Sequence, residues 1–135
     1  MRRAALILAI VGAGFGKAAA APAPSITLDD VRQALVGTWQ SADDTRFTRE
    51  LDANGRSVDR YEGDTSATAR GEWAVFTGKT APADFAPFKP APTGVYLELK
   101  ENDDVMLYAV SAISLSAIDL LFLQGNKTQR FTRLD

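Results

Sequence analysis

Hydrophobic and polar positions along this chain change their period twice. Residues 4–15 are apolar almost without interruption. Leu28, Val31 and Leu35 then recur at helical spacing. Thr27 offers a cap, and Asp29 and Asp30 suit a first turn, so the pattern predicts a short helix starting there. From residue 36 onward the period falls to two. Alternation predicts short strands over 36–41, 46–51, 56–61, 69–76, 95–99, 105–113, 118–123 and 128–134. Turn signals punctuate them at Asp43-Asp44, Asn54-Gly55, Glu62-Gly63, Asn102-Asp103-Asp104 and Gly125-Asn126. Asn-Gly is the strongest, because it supplies the positive φ values of a tight hairpin. The expected fold class is all-β: an eight-stranded up-and-down antiparallel barrel with a short N-terminal helix. A two-sheet sandwich has the same periodicity and stands as the alternative. Closure into a barrel has the merit of removing exposed strand edges.

The N-terminal apolar run has a different meaning. Met1-Arg2-Arg3 is a positive patch, and Ala18-x-Ala20 is a small-x-small cleavage pattern ahead of Pro22. That three-part order reads as a secretory signal peptide over 1–20. Its apolar part is too short for a spanning helix, which needs about 20 residues. No cysteine follows to carry a lipid, so the expected location is periplasmic or secreted, with no stable membrane insertion after cleavage. Residues 21–26 form a Pro-biased extended leader, and 27–135 form the barrel domain.

Composition narrows the chemistry. The chain of 135 residues has neither cysteine nor histidine, with 15 basic and 17 acidic side chains. Disulfides, thiol nucleophiles and cysteine-ligated zinc are excluded, as is any imidazole base or ligand. Cleavage would remove Arg2, Arg3 and Lys17, leaving 12 basic against 17 acidic residues, a net charge of -5. Such a chain is a poor partner for nucleic acid. The acidic pairs Asp29-Asp30, Asp43-Asp44 and Asp103-Asp104 fall at a helix start or in turns and lack calcium-loop spacing. Lys79, Lys89, Lys100 and Lys127 fall in loops, turns or strand ends, unsuited to a Ser-Lys dyad. No enzyme, metal or cofactor is expected.

Gly37-Thr38-Trp39, following a helix and opening the first strand, resembles the Gly-x-Trp signature of lipocalins and of smaller bacterial lipocalin-like domains. Asn54-Gly55, Gly71-Glu72-Trp73 and the ending Arg130-Phe131-Thr132-Arg133 are similar to further features of those small domains. The resemblance implies that Trp39 sits at the closed end of a barrel, with Arg133, or else Arg130, packed across it. Secreted bacterial metalloprotease inhibitors share this plan and use a mobile N-terminal segment, although they usually carry a disulfide that this chain lacks.

The candidate ligand-binding residues are Arg49, Arg60, Trp73, Phe85 and Phe88. Arg49 shares a face with Phe47 and Leu51, and Arg60 with Val58. An arginine on an inward face could hold a ligand carboxylate bidentately; the alternative is a place at the wet rim. Phe85 and Phe88 lie in the Pro-rich segment 77–94, which reads as an end plug, a lid or an interaction tip. The run Leu120-Leu121-Phe122-Leu123 is apolar on both faces and needs cover, expected from within the chain. The expected function is an exported, non-enzymatic protein binding a small apolar or amphipathic ligand. The alternative is a protein-binding module, such as a secreted-protease inhibitor or an envelope accessory protein.

Overall fold

The structure, a computed structural model, describes residues 8, 9 and 26–135. The segment 1–20 expected to be a signal peptide, apart from residues 8 and 9, and nearly all of the expected leader therefore lie outside the described residues. A two-residue strand β1 (Leu8–Ala9) pairs with Ile113 and Ala112.

The helix α1 (Leu28–Leu35) forms as its residues dictate. Thr27 Oγ1 accepts from the Asp30 amide at 3.0 Å, and Asp30 Oδ2 accepts from the Thr27 amide at 3.1 Å. This reciprocal box satisfies two donors that a helix start leaves without partners. The buried face of α1 is Val31 and Leu35.

Eight strands follow: β2 (Gly37–Ser41), β3 (Phe47–Leu51), β4 (Arg56–Tyr61), β5 (Asp64–Thr77), β6 (Val95–Glu101), β7 (Asp104–Ile113), β8 (Ala117–Phe122) and β9 (Lys127–Arg133). Each pairs antiparallel with its sequence neighbour, and β9 returns to β2 through Trp39 opposite Arg133, Gln40 opposite Thr132 and Ser41 opposite Phe131. The ladder is thus continuous around a closed up-and-down barrel, and the sandwich alternative is set aside.

β5 is 14 residues long, starting five residues before the expected 69. Residues 64–67 are exposed and polar or small, so they carry no two-period signal; they are held by pairing with the end of β4. The Asn54-Gly55 turn also differs from expectation. Only Gly55 has positive φ, at 86°. Asp52 closes the turn with its side chain, accepting from the Asn54 and Arg56 amides at 2.9 Å each, so Asn54 is relieved of the left-handed conformation.

The interior packs Trp39, Leu51, Trp73, Leu97, Leu99 and Leu120 together with Val31 and Leu35 of α1. The helix closes one end. Trp39 Nε1 donates to the Leu35 carbonyl at 2.9 Å. Arg133 lies over the Trp39 ring, 4.3 Å from its centroid. It donates to the carbonyls of Ala34, Val36 and Leu115 at 2.7, 2.9 and 2.7 Å. One guanidinium therefore satisfies orphan carbonyls at the end of α1 and ties the helix to the last strand. Gly37 makes room for it: a Cβ there would collide with Arg133 Nη1.

The Pro-rich segment is neither an end plug nor a lid. It folds as a 3-10 helix (Ala83–Phe88) against the outer wall. Phe85 is fully buried against Tyr96 and Leu107, with Phe76, Ala109 and Leu123 around them. These are outward positions of β5, β6 and β7 plus the residue after β8, so the segment covers the apolar outer face that Leu123 would otherwise expose.

Candidate functional site

The end of the barrel opposite α1 is open. It holds a cup of about 600 Å³, well within the range of small-ligand pockets. Its walls are the inward residues of β3, β7, β8 and β9, chiefly Phe47, Met106, Tyr108, Phe122 and Phe131. Across from them β5 presents only Ala67 and Ala69, and these small side chains are what leave the volume empty.

Arg49 is set in this apolar setting at 3% exposure, on the inward face of β3 between Phe47 and Leu51. Asp59 of β4 stands directly opposite in the ladder. Arg49 Nε and Nη2 donate to the two Asp59 carboxylate oxygens at 2.9 Å each. Phe47, Tyr108 and Phe131 surround the guanidinium with ring centroids 5.3–5.4 Å from its central carbon. Burial works against its charge, but the hydrogen bonds and charge of Asp59 outweigh it and raise its pKa further. Among the described residues Nη1 has no hydrogen-bond partner of normal geometry, although the Tyr108 phenol stands near enough to the guanidinium to help hold its charge. A buried donor without a partner costs about 1–3 kcal/mol, and here it belongs to a residue that lines an open cavity.

Glu101 completes the polar floor at 2% exposure. Its Oε2 accepts from Ser57 Oγ at 2.8 Å. Burial pushes its carboxyl up to about 8, and Asp59, within hydrogen-bonding reach, adds to the rise. Near neutral pH Glu101 therefore keeps its proton. Burial also raises the Tyr108 phenol. At the mouth stand Asp43, Asp44, Asp104 and Lys127. The hydrogen bond from Tyr61, 2.8 Å long, lowers the Asp44 carboxyl below its usual range.

Of the five candidate ligand-binding residues, Arg49 alone lines this cup. Arg60 is on the outer surface, paired with Glu50 at 3.0 Å, where it borders a smaller hollow. Trp73 is buried near α1, donating to the Asp52 carbonyl at 2.9 Å beneath the Arg32 guanidinium. Phe85 and Phe88 belong to the outer cover, and Phe88 is 37% exposed. Sequence reasoning missed Ser57, Asp59, Glu101 and Tyr108. For Glu101 a signal existed: it continues the inward alternation of Leu97 and Leu99 by one step.

Among the described residues no group of three or more acidic side chains is gathered as a metal site would be. No helix among them is long and apolar enough to cross a membrane. Comparison with family models, curated proteins and solved structures finds no match to this chain.

Proposed function

We propose that this protein is an exported, non-enzymatic carrier of lipocalin-like design that binds a small amphipathic molecule in the open end of its barrel. The carrying observation is the buried Arg49 Nη1, a donor with no partner among the described residues, at the base of an aromatic-walled cup. An apolar chain fits the Phe47, Met106 and Phe122 walls, and an acceptor at its inner end satisfies Arg49. The lipocalin-like reading draws support from the closed up-and-down topology, from Gly37-Thr38-Trp39 opening β2 after a helix, and from Arg133 stacked on Trp39. Export rests on the Arg2-Arg3 patch, the apolar run behind it and Ala18-x-Ala20. A mature protein beginning at Ala21, read by N-terminal sequencing, is the expected result for that part.

Binding is tested with the neutral fluorophore N-phenyl-naphthylamine, whose emission rises in apolar surroundings. The wild-type chain should bind it saturably. Ala69→Trp places an indole in the empty part of the cup, facing open volume, and should abolish the signal while leaving Tm nearly unchanged. An absence of saturable binding, or full binding by Ala69→Trp, would overturn the proposal.

A further inference from the structure

Resting on the reading of the cup as a binding site, we propose that it also takes an extended polypeptide segment, which adds as a strand to the free edge of β5 at residues 65–69 and lowers apolar side chains into the cup.

The edge comes from unequal strand lengths. β5 pairs with β4 from Glu72, opposite Arg56, to Asp64, opposite Tyr61. β6 accompanies β5 only between Thr77 and Gly71, because it ends at Glu101 and the chain turns back into β7. The last bond across is from the Asn102 amide to the Arg70 carbonyl, at 3.3 Å. Beyond it, among the described residues, β5 has a neighbouring strand on one side only. Backbone groups alternate sides along a strand. The Trp73 amide donates on the β4 side, to the Gly55 carbonyl at 2.9 Å, and the Arg70 carbonyl faces the other way. Thr68, two residues before Arg70, therefore carries its amide and carbonyl on the open edge. Residues 65–69 read Thr-Ser-Ala-Thr-Ala, without the charge or proline that commonly protects an edge.

An edge of main-chain donors and acceptors is matched by another strand, and pockets beneath it select alternate side chains. Here the pocket is the cup. The stretch sends Ala67 and Ala69 into it and Thr65 and Thr68 to the outer hollow. An added strand follows the same alternation. Every second side chain then enters the volume of about 600 Å³ that the alanines leave beside Phe47, Met106 and Phe122. A second copy of this chain, pairing edge to edge, brings only its own Ala67 and Ala69 and leaves that volume unfilled. Asp43 and Asp104 are exposed at the mouth, which suits a basic residue flanking the apolar ones.

The probe is a terminally blocked heptapeptide, Lys-Val-Thr-Phe-Thr-Val-Lys, whose valines and phenylalanine share one face. Its fluorescein-labelled form should bind the wild-type protein saturably by anisotropy, and the unlabelled form should displace N-phenyl-naphthylamine. N-methylation of its three central amides should weaken binding about tenfold by removing hydrogen bonds of the added strand. Thr68→Pro deletes an edge amide and spares the ladder to β4. It should weaken the peptide by a similar factor and leave N-phenyl-naphthylamine affinity unchanged; should it unfold the protein, the N-methylated peptide decides alone. No peptide binding, binding without displacement, or full binding by the N-methylated peptide or by folded Thr68→Pro overturns strand addition while N-phenyl-naphthylamine binding keeps the cup as a site. A wild-type dimer in sedimentation that Thr68→Pro splits gives the edge to a second copy and overturns it as well. Failure of both probes to bind removes the cup too.

Discussion

Arg49 and Asp59 face each other on adjacent strands, and register alone brings their forks together. Such a pair is asymmetric in its energetics. Losing one partner leaves a buried charge behind, which costs about 3–5 kcal/mol, whereas replacing both with apolar groups is close to neutral. Arg49→Met should therefore destabilise the fold severely in urea unfolding, and Arg49→Met with Asp59→Leu should recover most of the loss. Glu101 gives a pH prediction. Its folded value of about 8 exceeds the ordinary 4.5, so the folded state binds the extra proton between those values. Stability from this group is complete at acid pH and declines as pH rises toward about 8, then levels off. Glu101→Gln should flatten that decline by an amount on the order of 2 kcal/mol, after allowing for screening in a cup open to solvent. Arg49 was legible because Phe47 and Leu51 flank it at period two. Asp59 was not, since Val58 and Arg60 suggested the opposite face. The polar patch of the lumen lies on β4, so the rule that apolar residues mark the inside inverts there, where Ser57 and Asp59 point in.

At the scale of elements, two pieces outside the strand ladder do different work. α1 closes one end, and its attachment depends on Arg133 reaching three carbonyls through the space that Gly37 leaves. Gly37→Ala should lower stability by about 2 kcal/mol or more, since both the positive φ and the collision oppose it. The 3-10 segment covers the outer wall. Phe85→Ala should cost about 3–5 kcal/mol as a large core truncation, yet leave N-phenyl-naphthylamine affinity of the folded protein intact. A lid would behave the other way round, losing affinity with little change in Tm. The start of the helix was legible from Thr27, Asp29 and Asp30 and its inner face from the Leu28, Val31, Leu35 spacing, whereas its end at Leu35 was not. The place of segment 77–94 was not, because Pro-rich chain has no period. Which wall it covers depends on Tyr96 and Leu107, brought beneath it only once β6 and β7 pair.

For the whole molecule, strand count and order could be read from alternation and turns, whereas closure could not. A barrel and a sandwich place the same side chains in and out with the same period. What separates them is the contact between β2 and β9, almost the full length of the described chain apart, and no local pattern encodes it. Closure with one end plugged and the other lined by Ala67 and Ala69 makes a one-ended cup with Arg49 at its base. That arrangement is tested most directly by nitrogen NMR of the arginine side chains during titration of the arginine-labelled protein with decanamide. The guanidinium signals of Arg49 should shift progressively to saturation, while those of Arg133 at the plugged end and Arg60 on the outer wall stay in place. Saturable binding that moves Arg133 or Arg60 and leaves Arg49 untouched would contradict a ligand seated in the cup.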